Sequence, residues 1–105
     1  MPTDRIQQLE KFYEDDPHDP FNVYALALEY LKYDATRSHA LFEMLLRDYP
    51  QYLPTYYHAA KFFGERGQKE KAAEIFENGI ALARKVNDAK ALRELRSALD
   101  ELMFE

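Results

Sequence analysis

The feature that most narrows what this chain can fold into is a pattern that occurs twice. Val23, Leu26, Ala27 and Tyr30 recur 33 positions later as Tyr56, Ala59, Ala60 and Phe63, while Ser38 and Phe42 recur 34 positions later as Ala72 and Phe76. Pro17 and Pro20 recur as Pro50 and Pro54, at 33 and 34. Three separate features with one period mean that a single supersecondary unit is present in two copies, and that each copy buries its apolar face by stacking on neighbours. The slip from 33 to 34 is one residue missing from the first turn, which also removes the glycine that the second copy carries as Gly67. Within each copy the apolar residues fall at i, i+3, i+4 and i+7, the period of a helix rather than a strand. The expected fold is all-α.

Taken in order, the chain reads as six helices. Thr3 is the expected cap of the first, with Asp4 in its first turn and Ile6, Leu9, Phe12 and Tyr13 on one face. That helix ends before Pro17, because a residue preceding proline is pushed out of the helical region. Asp19 then caps a second helix that opens on Pro20 and is expected to run to Tyr33. One stripe of this helix is Val23, Leu26, Ala27 and Tyr30; another is Phe21, Tyr24, Leu28 and Leu31. A helix apolar on two sides is either covered on both or shows one to a partner. Asp34 or Thr36 caps the third helix, which carries Ala40, Leu41, Met44 and Leu45 and stops at Tyr49-Pro50. The fourth starts on Pro54 and ends near Gly67, expected as a left-handed residue closing it. The fifth, from Lys69 to Val86, contains Gly79 at a cost of about 1 kcal/mol relative to alanine. A close backbone approach is expected there, with the last helix as the neighbour. Asn87-Asp88 breaks and recaps the chain, and the sixth helix, Ala89 to Met103, presents Leu92, Leu95, Leu99 and Leu102 as one seam towards the fifth.

The string Tyr56-x2-Ala59-Ala60-x2-Phe63, the turn at Gly67 and then Ala72-x3-Phe76 resembles the tetratricopeptide repeat. The resemblance covers about residues 20 to 84. It implies an α-α superhelix of two helix hairpins, residues 20–50 and 54–86, with a half-repeat helix at 3–14 before them and a capping helix at 88–104 after them, in a single domain of residues 1–105. It further implies that the first helix of each hairpin lines a concave groove holding a peptide or helix of a partner. The second, fifth, ninth and twelfth repeat positions face that groove. They correspond to Phe21, Tyr24, Leu28 and Leu31 in the first copy and to Pro54, Tyr57, Lys61 and Gly64 in the second, with His58 adjacent. The expected partner-binding set is therefore Phe21, Tyr24, Leu28, Leu31, Tyr57, His58 and Lys61. Two departures stand out. Ser38 and Leu45 replace small alanines, which predicts a wider first hairpin, and Tyr24 and Leu28 occupy places where chaperone-binding members carry a clamp for a terminal carboxylate. Only Lys61 and His58 remain to meet an acidic group. The same apolar surface could instead serve self-association, as a homodimer.

Other chemistries find little support in the residues. His18, His39 and His58 are scattered, without the i, i+4 spacing of a helical metal site, so no metal or cofactor is expected. Glu14, Asp15, Asp16 and Asp19 lack the alternation, the glycine and the closing glutamate of a calcium loop. No glycine-rich loop follows a strand, so no nucleotide cradle is expected, and no residue pair suggests catalysis. A net charge of −5 disfavours nucleic acid, whose phosphates are bound by lysine and arginine. The longest clean apolar run is Val23 to Leu28, too short to span a membrane. The first residues lack the apolar core of an export signal and there is no cysteine, which points to the cytoplasm.

Overall fold

The computed structural model describes residues 4–105, and the expected Thr3 cap lies outside them. Six helices follow one another: α1 (Asp4–Asp15), α2 (Pro20–Tyr30), α3 (Ala35–Asp48), α4 (Pro54–Glu65), α5 (Lys69–Lys85) and α6 (Ala89–Met103). No strand occurs among the described residues. The helices form two compact units, one ending at Tyr52 and the other spanning Leu53–Glu105.

In the first unit α2 packs against both α1 and α3. Its helices begin and end for identifiable reasons. Asp19 accepts a hydrogen bond from the Phe21 amide (3.0 Å) with Pro20 in the first turn, and Asp34 accepts from the Arg37 amide (3.2 Å), so Asp34 rather than Thr36 is the cap of α3. Asn22, which reads as a polar interruption of α2, has a structural task. Its Nδ2 donates to the carbonyls of Phe12 (3.2 Å) and Asp16 (3.0 Å), satisfying acceptors that the end of α1 leaves bare. The Tyr30 hydroxyl donates to the Glu10 carboxylate, and the Arg37 guanidinium stands 3.7 Å from that carboxylate and 5.7 Å from the Tyr30 ring centre. Three helices are tied by this one cluster. Hydrogen bonding to Glu10, with burial second, raises the Tyr30 phenol above its ordinary pKa.

Several expectations for this unit need correction. The second helix ends at Tyr30, three residues short of Tyr33, because its last turn tightens: Leu31, Lys32 and Tyr33 donate to carbonyls three residues back, those of Leu28, Glu29 and Tyr30. The first hairpin is not held apart at Ser38. This residue is fully buried, and its hydroxyl donates to the Ala27 carbonyl at 2.8 Å, which requires close approach of α3 to the α2 backbone. Serine is thus small enough for the place of an alanine and adds a bond across the hairpin. Phe12 does not join Ile6 and Leu9 in the core but stays 52% exposed, and Ala40 is exposed while Leu41, Phe42 and Leu45 are buried.

In the second unit α5 packs against α4 and α6, and α4 also touches α6. Both turns close in the same way. Gly67 has φ +83° with Gly67 N–H donating to Gly64 O (3.2 Å) and Gln68 N–H to Phe63 O (2.9 Å); Asn87 has φ +60° with Asn87 N–H donating to Arg84 O (3.2 Å) and Asp88 N–H to Ala83 O (2.9 Å). Each is a left-handed helix closure, glycine in one and the most tolerant substitute, asparagine, in the other. Asp88 then caps α6 by accepting from the Ala91 amide at 3.0 Å.

The core of this unit is Tyr56, Ala59, Ala60, Phe62 and Phe63 from α4, Ala72, Ile75, Phe76, Ile80 and Ala83 from α5, and Leu95 and Leu102 from α6. Leu92 and Leu99 are half-buried, and Arg93, Glu94, Arg96, Asp100 and Glu101 are exposed, the polar outer face that a terminal helix of a repeat array needs. Gly79 is a point of close approach, as expected, but its first neighbour is α4 rather than α6. A Cβ there would stand 2.6 Å from the Tyr56 Cβ, with Leu95 Cδ1 of α6 next at 3.2 Å.

One buried group lacks a partner. Thr55 at the start of α4 is fully buried, and its Oγ1 makes no hydrogen bond among the described residues. A buried hydroxyl without a partner carries its desolvation cost uncompensated. Thr55→Val, of the same shape, is therefore expected to stabilise the protein by about 1 kcal/mol. An upward shift of the urea midpoint at unchanged slope is the expected reading; a downward shift would mean that the hydroxyl is satisfied in solution.

Candidate functional site

Of the seven residues singled out by the sequence, Phe21, Tyr24 and Leu28 fall on α2, Tyr57, His58 and Lys61 fall on α4, and Leu31 follows the end of α2. In the first unit α2 turns Val23, Leu26 and Ala27 fully inward and leaves Tyr24 and Ala25 between them half-buried. Phe21 remains 55% exposed and Leu31 43%, while Tyr24 and Leu28 are half-buried. Leu31 lies just beyond α2, in the tightened turn, because the helix stops at Tyr30. Tyr24 is fixed by an edge-on contact with Tyr52, ring centres 5.7 Å apart, and burial raises the phenols of both above their ordinary pKa. Tyr33, beyond the end of α2, adds an aromatic that is 49% exposed. The result is an exposed apolar margin, Phe21 and Leu31, on a helix whose opposite side is fully buried.

In the second unit Tyr57, His58 and Lys61 are consecutive along one side of α4. Tyr57 meets Phe76 edge-on at 6.4 Å and His58 edge-on at 5.3 Å, and the Lys61 ammonium lies 5.8 Å from the Tyr57 ring centre. Burial, with the Lys61 charge second, lowers the His58 pKa below its ordinary 6.5. His58 is thus half-buried and held neutral at physiological pH. A neutral imidazole is a poor match for an acidic group.

Beside these residues lies a cleft of about 290 Å³ between α4 and α6. It is lined by the buried or half-buried Tyr57, Phe76 and Leu102 and by the exposed Lys61, Glu65, Glu101 and Glu105. Small residues on both helices, Ala60 and Gly64 on α4 and Ala98 on α6, are part of the lining. The sequence marks Gly64 as a repeat position, but the carboxylates of α6 come to this place only through the packing of the last helix.

His58 gives stability a pH dependence of definite sign. Because its folded pKa is depressed, the unfolded chain binds the proton more readily; the stabilising contribution is complete above about pH 6.5 and is lost as pH falls from there through the lowered folded value. Urea midpoints are expected to fall between about pH 7.5 and 5.5, and His58→Gln is expected to flatten that part of the profile. An unchanged slope in the variant would remove His58 from the account.

Two helix hairpins, each closed by short turns and flanked by a further helix, define a helical-repeat module of the kind used for protein interactions. The chain is similar to a tetratricopeptide repeat domain protein from Salinibacter ruber in both its solution NMR structure and its crystal structure. The NMR structure shares 42% identity over 83% of this chain and 89% of that one, with a TM-score of 0.78. The crystal structure shares 40% identity over 81% of this chain and 97% of that one, with a TM-score of 0.77. No protein-family model matches the chain, and no curated protein does. At that identity and coverage the chain belongs to the tetratricopeptide repeat family, with the all-α hairpin fold that its period of 33 to 34 predicts. Among the described residues no helix is long and apolar enough to cross a membrane, and no group of acidic and histidine side chains could hold a metal ion.

Proposed function

We propose that this protein is an interaction module that binds a segment of a partner protein through the first helices of its two hairpins. Phe21, Tyr24, Leu28 and Leu31 form the apolar face in the first unit, and Tyr57, His58 and Lys61 the contact face in the second. The observation that carries this reading is the exposure of Phe21 and Leu31 on a helix that has already buried Val23, Leu26 and Ala27. Aromatic and aliphatic side chains left beside a fully packed stripe are what an interface anchor needs. The module works in the cytoplasm on protein rather than on nucleic acid or membrane, and it performs no chemistry of its own.

Phe21→Ser with Leu31→Ser is the appropriate test, since both residues are exposed and the core does not depend on them. A protein captured from the native lysate by the parent chain is expected to be lost by this double variant at unchanged helix content. Retention of the same protein at the same level would overturn the α2 face. Light scattering separates the use of this face for self-association: a parent dimer that the variant converts to monomer would replace the partner reading by a homo-oligomeric one.

A further inference from the structure

We propose that the cleft between α4 and α6 seats an arginine side chain of a partner protein segment; this rests on the interaction reading above and adds the chemistry of one residue it takes. The walls are apolar and aromatic, with Phe76 and Leu102 almost fully buried and Tyr57 half-buried. The margin is acidic: Glu65, Glu101 and Glu105 stand there against Lys61 as the one cation of the lining. Lys61 does not neutralise them. Its ammonium lies over Tyr57, and among the described residues neither Glu65 nor Glu101 makes an ion pair or a side-chain hydrogen bond. The Lys69 ammonium donates to the main-chain oxygen of Glu105 (3.3 Å) and so places a cation beside that residue, which leaves Glu65 and Glu101 as the open carboxylates of the margin.

A cleft that joins aromatic and aliphatic side chains to the unpaired carboxylates of Glu65 and Glu101 fits one kind of side chain best, a long aliphatic stem ending in a cation. The stem lies against the half-buried Tyr57, over a floor that Phe76 and Leu102 already close, and the head meets the glutamates. Arginine is favoured over lysine because its planar guanidinium can stack on Tyr57 while forking to a carboxylate, and because it is less strongly hydrated. A volume of about 290 Å³ falls just below the range of drug-sized ligand pockets, which suits one side chain rather than a helix or a folded loop. An acidic peptide terminus would face the three glutamates with only Lys61 in its favour, as His58 is held neutral.

The test uses the full chain and three acetylated, amidated probe peptides, Gly-Leu-Arg-Leu-Gly and its glutamine and glutamate counterparts, titrated while backbone amide shifts are recorded. The arginine peptide is expected to move the amides of Lys61, Gly64, Glu65, Ala98 and Glu101, and the other two peptides to leave them in place. Glu65→Gln with Glu101→Gln, both exposed and outside the core, is expected to weaken the arginine peptide about threefold to tenfold, as the loss of two margin charge pairs should. Equal shifts from the arginine and glutamine peptides, shifts confined to other residues, or undiminished binding by the double variant would each overturn the proposal. If the cleft stays silent while Phe21→Ser and Leu31→Ser still abolish partner capture, the arginine seat fails and the interaction reading stands. Cleft shifts in a protein whose capture ignores those two changes would do the reverse.

Discussion

Replacing Phe63 by alanine is expected to destabilise the protein by about 3–5 kcal/mol. Phe63 occupies the aromatic position of the second repeat and is fully buried. Its ring meets Phe62 edge-on at 5.2 Å and carries the Lys71 ammonium 4.1 Å from its centre, so truncation leaves a void and also removes an aromatic face from a cation. Small domains are stable by only about 5–15 kcal/mol, and the variant is therefore expected to populate unfolded chain appreciably at physiological temperature. Phe21→Ala supplies the contrast. It deletes the same ring from the same kind of helix, but one more than half exposed, and the expected change is within about 0.5 kcal/mol. Urea denaturation of both variants separates packing residue from docking residue: comparable losses would mean that Phe21 is covered in solution and that the exposed margin of α2 does not exist.

That contrast also shows what the sequence could and could not reveal. Repetition separated the stripe Val23, Leu26 and Ala27 from Phe21 and Leu31, because packing positions stay apolar in both copies, as Tyr56, Ala59 and Ala60, whereas Phe21 and Leu31 correspond to Pro54 and Gly64. Turn residues were equally legible. Asp19, Gly67 and Asp88 act through their own backbone neighbourhoods, so their roles need no knowledge of distant chain. What escaped were interactions between residues far apart in sequence. Asn22 capping the end of α1, Ser38 bonding to the Ala27 carbonyl, and the burial that lowers the His58 pKa each depend on how two helices meet. The end of α2 was misplaced for the same reason: the apolar pattern continues through Tyr33, whereas the tightened turn that leads into the Asp34 cap does not. The acidic margin of the cleft was hidden likewise, since Glu65 and Glu101 share no motif and meet only where α6 packs beside α4.

Gly79→Ala is expected to lower stability by about 2 kcal/mol, against the sign that helix propensity alone gives. In an open helix this change would gain about 1 kcal/mol, because alanine loses less backbone entropy on folding. Here the new methyl would stand 2.6 Å from the Tyr56 Cβ and 3.1 Å from its Cγ. The first of these atoms is bonded directly to the backbone, so no rotamer change can withdraw it; α4 and α5 must move apart along their whole line of contact. The strain then spreads to Tyr56, itself buried, and to Leu95 Cδ1, which already stands 3.2 Å from the new methyl. Gly64 provides the control within α4. Its added methyl would meet Ala72 Cβ and Leu102 Cδ1 at 3.4 Å each, ordinary contact that a small shift accommodates, so Gly64→Ala is expected to be neutral or to stabilise by up to about 1 kcal/mol. Two glycines inside helices, equal by propensity, should thus shift the thermal midpoint in different directions, Gly79→Ala downward by roughly 8 to 16 °C. A Gly79→Ala protein as stable as the parent would show that α4 and α5 lie further apart in solution than the Tyr56 contact requires.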